Sequence, residues 1–475
     1  MKVKNVLGAL IIILVFISNL KAQHYTPQVR EFILDSARIT AFVNVKIIDG
    51  TGSPSQDHQT IIIKDGIITK IGKTQDIPIP QNAKIIECSG KMIIPGLVMM
   101  HEHLFYTMFL DTYFNLAEMP FSFPRMYLAG GSTTIRTAGS IEPQTDLAIK
   151  RMISEGKLIG PDIDVTAPYI ERPGFDIPSL STIRDETEAG TSVNFWADKG
   201  CTSFKMYMHI TADDLATVVR EAHKRNLKVT GHLCTLSYRK AASLGIDNLE
   251  HGFYASTDFD PNKIEGTFDY LAAQQGLQNL PVESDKMRDL INYLIQHHVA
   301  LTSTLPVFEP YTDREPILGG GEEALLPEVK AYVKSRWQNA QHKDSLSLKL
   351  FKKELVWEKQ FYDAGGLLLA GTDPTGSGRT IAGYGSRREV ELLAEAGFSA
   401  PQAIKIASLN GAIYLGRQKN IGSVEVGKRA DLVLLSGDLE KSISDIRNIE
   451  IVFKNGIGFD SKKILQSIKS RVGLN

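Results

Sequence analysis

Two histidines one residue apart, His101 and His103, close an apolar run over residues 95–100. The run reads as a β-strand, and side chains two apart on a strand share a face. Both imidazoles therefore project together while Glu102 turns away, and two imidazoles at a strand end can reach one divalent ion. His232 and His251 also end short apolar segments, Asp373 ends another, and Lys205 lies within one. Four imidazoles and a carboxylate are donors enough for one or two metal ions, and such donors accept zinc, iron, manganese, cobalt or nickel.

These residues are far apart in sequence, so they meet only if the chain returns them to one place. Between residues 95 and 417 strands alternate with helices, the pattern of β/α units around a parallel sheet. After the strand that carries His101, further strands are expected over 132–137, 162–166, 202–207, 229–232, 248–251, 299–304 and 366–373. Thr211 and Asp214 form a capping box that opens one of the intervening helices. Eight such units fit a (β/α)8 TIM barrel, an α/β fold whose strand C-termini converge on one face. Long stretches over 254–284 and 306–327 follow the sixth and seventh strands, where barrel enzymes keep selectivity loops.

The two ends of the chain read differently. Residues 39–94 are strand-rich with a hairpin turn at Asp65 and Gly66, and residues 422–435 and 451–456 have the same character. A small composite β-sandwich domain is expected from 23–94 and 418–475, flanking a barrel over 95–417. Ahead of it, Lys2, Lys4, an apolar run over 6–17 and Ala22 read as a signal peptide spanning 1–22. The run is too short to cross a bilayer. The mature protein is thus expected in the periplasm or outside the cell, with no stable membrane partner after export. Lys and Arg total 53 against 54 Asp and Glu, a net charge of −1, which argues against nucleic acid as a partner. Three scattered cysteines make neither a disulfide framework nor a Cys-rich zinc site. A small-molecule substrate is the expected partner, and a homo-oligomer is compatible with the sequence.

Taken together, these residues resemble the amidohydrolase superfamily, in its imidazolonepropionase-related and prolidase-like branch. The resemblance covers nearly everything after the signal peptide. It rests on Pro95, Gly96 and Leu97 leading into His101 and His103, and on residues 131–136. Lys205, His232, His251, Asp373 and the runs 399–416 and 421–432 complete it.

The resemblance implies that His101, His103 and Asp373 hold one metal and that His232 and His251 hold a second. Lys205 would bridge both as a carbamate formed with carbon dioxide, because an unmodified ammonium has no acceptor lone pair. Zinc is the first candidate metal. A metal lowers the pKa of bound water toward ~7 and polarises a carbonyl, while Asp373 would carry a proton from water to the leaving nitrogen. The implied activity is hydrolysis of a C–N amide bond in an N-acyl amino acid or dipeptide, as a prolidase does. Alternatives are opening of an imidazolone-type cyclic amide, hydrolysis of a lactone or ester, or a metal-free binding protein on the same fold. Tyr207, Tyr238, Arg239 and Arg388 are the expected substrate handles, the arginines for a carboxylate. Two positions depart from the family pattern: Arg388 and Glu389 stand where many relatives have His-x-Glu, and residues 169–174 lack a histidine common there.

Overall fold

The computed structural model describes residues 25–110, 113–174, 180–314, 319–340, 345–375 and 378–473. The signal peptide expected over 1–22 lies outside them. No helix among the described residues is long and apolar enough to cross a membrane. The chain is mixed α/β, and Cys88, Cys201 and Cys234 are buried free thiols.

Both ends of the chain join one nine-stranded sheet. Leu432–Ser436 pairs antiparallel with Lys91–Pro95, and Ile457–Asp460 pairs with Ile33–Asp35. The sequence predicts a sandwich; the hydrogen bonding is that of a single sheet whose halves enclose a common core. Phe42 and Phe453, from opposite halves, pack edge to face with ring centroids 4.9 Å apart. The expected hairpin turn is present, with Asp65 (φ 50°) and Gly66 (φ 81°) both left-handed. Gly66 packs on the neighbouring turn, where a Cβ would lie 2.7 Å from the Asn455 carbonyl oxygen, so it must stay glycine on two counts.

Eight parallel strands carry the middle of the chain: β1 (Leu97–Glu102), β2 (Ser132–Thr137), β3 (Asp162–Asp164), β4 (Ser203–Met206), β5 (Lys228–Gly231), β6 (Asn248–Glu250), β7 (Ala300–Ser303) and β8 (Leu368–Ala370). They form two sheets, β3-β2-β1 and a longer one that runs β4-β5-β6-β7-β8. Backbone hydrogen bonds cross both gaps between the sheets. Ala167 N donates to the Ser203 carbonyl at 2.9 Å, and Thr372 N and Asp373 N donate to the His101 carbonyl at 3.0 and 2.9 Å. The strands are short and almost wholly buried, as expected where helices cover the outer face. The Thr211–Asp214 capping box opens the helix Ala212–His223 as expected.

Three features differ from the sequence reading. A hairpin, Phe105–Leu110 with Tyr113–Glu118, follows β1. The stretch 254–284 holds the helix Tyr270–Asn279, capped by Asp269, and 306–327 begins with the short helix Leu305–Phe308.

Arg429 ties the composite sheet to β3. It meets Asp162 at 2.7 Å and Asp431 at 2.7 Å, and Lys454 adds a 2.7 Å contact to Asp162. Burial opposes charge on Asp162, yet Lys454 and Arg429 hold its carboxyl well below the usual range. Arg429→Met leaves buried Asp431 uncompensated, so unfolding in urea should show a loss of about 3 kcal/mol. An unchanged midpoint would contradict this role.

Behind β6 to β8, the helices Ser345–Asp363 and Tyr384–Glu395 bury three carboxyls, Glu354, Glu358 and Glu389. Burial pushes Glu358 up to about 8 and lifts Glu354 and Glu389 well above the carboxylate range. The native state therefore keeps protons that the unfolded chain releases above about 4.3. Their stabilisation is complete below that pH and falls as pH rises toward 8. Melting temperature should drop between pH 6 and 9, and Glu358→Gln should flatten the drop; an equal slope in both proteins would contradict the assignment.

Candidate active site

β1 delivers His101 on its last turn inward, and His103 follows two residues later on the same side. Their ring Nε2 atoms lie 3.6 and 3.1 Å from Asp373 Oδ1. The ligand atoms of His101, His103 and Asp373 all fall within 4.8 Å of one another. Each histidine has its other nitrogen engaged: His101 Nδ1 meets Glu250 Oε2 at 2.7 Å, and His103 Nδ1 meets the Gly139 carbonyl at 3.1 Å. With Nδ1–H donating to those oxygens, both Nε2 lone pairs face Asp373. Glu102 points away, as alternation requires, and accepts from Thr372 Oγ1 at 2.5 Å.

His251 packs against His101 and His232, with ring centroids 4.7 and 4.5 Å apart. Its Nδ1 is 2.8 Å from Thr304 Oγ1 and 3.9 Å from Asp373 Oδ2. Lys205, on β4, is 1% exposed, with Nζ 4.0 Å from Glu250 Oε1. The six residues singled out in the sequence thus gather at the C-terminal ends of β1, β4, β5, β6 and β8. His251 (φ 70°) and Asp373 (φ 48°) both adopt the left-handed conformation, uncommon for residues with a Cβ. Backbone strain of this kind collects at functional sites.

Burial dominates the electrostatics. It lowers the His103 imidazole, depresses His232 to about 3 and holds His251 well below its usual range, so these rings are neutral donors. Burial also brings the Lys205 amine down to about 8, against the pull of Glu250 and Asp373. Burial works against charge on Asp373; protons on the neighbouring His101 and His103 hold its carboxyl well below the carboxylate range, and a divalent ion would take the place of those protons. Neutral imidazoles and an ionised carboxylate are the forms that bind a divalent ion. The donor set fits a metal.

Aromatic rings wall the cluster. Phe105 lies against His103, with ring centroids 4.7 Å apart, and the Tyr169 hydroxyl is 3.4 Å from both His103 nitrogens. Tyr207 sits between Tyr169 and His232, with ring centroids 5.0 and 5.5 Å away. On the opposite side Phe308 faces His251 at 5.7 Å and stacks on Tyr254 at 3.9 Å.

The other three expected handles are engaged elsewhere. Tyr238 is fully buried and donates to the Glu250 and Gly252 carbonyls at 3.1 and 2.9 Å, so it braces β6. Arg239 pairs with exposed Asp289 and covers the Tyr293 ring, 4.9 Å from its centroid, on the outside of the helix layer. Arg388 is held by Glu309 at 2.7 and 2.9 Å and by Glu391 at 2.7 Å. Its bidentate capacity is spent on Glu309. Sequence reasoning missed Glu250, Arg136, Tyr169 and Thr304. Of these, Glu250 lies beside His251 and Arg136 closes the run 131–136, so both adjoin stretches the sequence already singled out.

The chain is similar to several known proteins. A model of the amidohydrolase family matches residues 340–457, the part that carries Asp373. Imidazolonepropionase from Clostridium tetani is 23% identical over 422 residues, covering 84% of this chain and 90% of that protein. Two solved structures share the fold: a putative prolidase from Bifidobacterium longum (TM-score 0.65, 21% identity, 91% of this chain and 100% of that one) and a Xaa-Pro dipeptidase with bound methionine in its active site (TM-score 0.65, 20% identity, 89% and 100%). The C-terminal part of the chain thus matches the amidohydrolase family, and nearly the whole chain is similar to an imidazolonepropionase and shares the fold of prolidase-like structures.

Proposed function

We propose that this hydrolase cleaves the C–N amide bond of a small N-acyl amino acid or dipeptide, with His101, His103 and Asp373 holding one divalent ion and His232 and His251 a second. Lys205 would help hold both ions as a carbamate, formed when its neutral amine adds carbon dioxide and releases a proton. The observation that carries this reading is the donor geometry, with two Nε2 atoms and a carboxylate within 4.8 Å and each Nδ1 already engaged. When bound, such ions supply hydroxide near neutral pH and polarise a carbonyl.

The chain's own residues do the rest. Asp373 is ionised and reaches the centre of the cluster. It accepts the proton that the attacking water loses, then returns it to the leaving amide nitrogen, which cannot depart as an anion. Thr375 Oγ1 donates to Asp373 Oδ1 at 2.6 Å and steadies the carboxylate. The rings of Phe105, Tyr169, Tyr207 and Phe308 exclude water and favour an apolar or aromatic side chain beside the scissile bond. In this reading β1 to β8 form one (β/α)8 barrel over 95–417, with the composite β-domain from 23–94 and 418–475. The leader over 1–22 directs export, and N-terminal sequencing of secreted protein would check it.

Opening of a cyclic amide is the second reading, favoured by the imidazolonepropionase similarity along 84% of the chain. A panel of N-acyl amino acids, dipeptides, cyclic amides and lactones, assayed with zinc and bicarbonate, separates the two. Turnover confined to lactones would overturn the amide reading.

A further inference from the structure

Beneath the histidines lies a buried ion pair that neither metal binding nor proton transfer uses. Glu250 is 0% and Arg136 1% exposed, and Arg136 Nη2 donates to Glu250 Oε1 at 2.7 Å. Although burial opposes it, the Arg136 guanidinium is the leading group that holds the Glu250 carboxyl well below the carboxylate range. A buried ion pair adds little net stability over apolar side chains of equal volume. Its contacts therefore bear on what it is for, and they lead to His101.

Glu250 Oε2 takes the His101 Nδ1–H at 2.7 Å, and Arg136 Nε donates to the Met100 carbonyl at 2.7 Å, one residue earlier on β1. The pair thus grips both the ring of His101 and the strand that presents it. Thr230 Oγ1 donates to Glu250 Oε1, and that oxygen is also 4.0 Å from Lys205 Nζ. On an extended strand Glu250 and His251 would point to opposite faces. The left-handed turn at His251 lets both enter the interior, one as a candidate ligand and one below it.

We propose that Arg136 and Glu250 are positioning residues for the metal centre: Glu250 fixes His101 as the Nδ1–H tautomer with Nε2 toward the ion, and Arg136 holds the carboxylate and β1 in register. This rests on the reading of His101 as a metal ligand. A carboxylate on the far nitrogen of a ligating imidazole raises its basicity, and losing that partner typically costs about 10–100-fold in metal affinity.

The test is zinc affinity of the full chain by competition with a chromophoric chelator, together with the visible spectrum of the cobalt-loaded protein. Glu250→Gln should bind zinc about 10–100-fold more weakly and alter the cobalt bands. The double variant Arg136→Met/Glu250→Gln removes both charges and guards against a folding defect. It should melt near the wild type and still bind zinc weakly. Wild-type affinity and spectrum in either folded variant would overturn the positioning role while leaving the metal reading intact. A wild-type protein that binds no zinc would overturn both.

Discussion

Asp373→Asn should lower kcat by about 1,000-fold while the protein stays folded, because general acid–base transfer by a positioned carboxylate contributes about 100- to 10,000-fold. Asparagine keeps the shape of the side chain and its hydrogen bond from Thr375, but it can neither accept the proton of the attacking water nor deliver one to the leaving nitrogen. The carboxylate lies 3.1 Å from His103 and 3.6 Å from His101, so the loss combines proton transfer with weaker grip on the ion. Amine release under saturating substrate checks the rate, and circular dichroism checks the fold. Activity within tenfold of wild type would remove Asp373 from the mechanism.

Gly371→Ala should be nearly as damaging, for a steric reason. A Cβ at residue 371 would collide with the His101 side chain and lie 2.8 Å from its backbone nitrogen. β8 must approach β1 this closely for Thr372 N and Asp373 N to reach the His101 carbonyl. A methyl group there separates the strands that bring His101 and Asp373 together, and overpacking of this kind costs about 1–3 kcal/mol. A displacement near 1 Å at the site costs about 100-fold in rate. Lower melting temperature, weaker zinc binding and that loss of rate should appear together. A variant with wild-type rate and melting point would show that the seam tolerates the methyl group.

Much of this cluster was legible in the sequence because its histidines and Asp373 end strands. His101 and His103 obey period-two alternation, and the order of strand-end residues survives in the structure with boundaries moved by a few residues. Glu250 escaped the same rule because the left-handed turn at His251 breaks the alternation, and no local pattern announces that turn. Arg388 and Arg239 were misread because their partners, Glu309 and Asp289, are 79 and 50 residues away. Tyr238 was misread because a tyrosine after a strand looks the same whether it faces the pocket or braces the strand behind it. The hairpin after β1 lacks an Asn-Gly or Asp-Gly turn, so its two apolar strands gave no hairpin signal. The Asp269 cap of the helix Tyr270–Asn279 was visible but lay in a stretch read as loop.

The most direct test of the central claim is metal content per chain, measured on protein purified with bicarbonate, for wild type and Lys205→Ala. A carbamate-bridged centre predicts roughly two ions in the wild type, with both metal and amide hydrolysis lost in the variant. About one ion in each protein would contradict the bridge, and no metal in the wild type after reconstitution would contradict the hydrolytic centre itself.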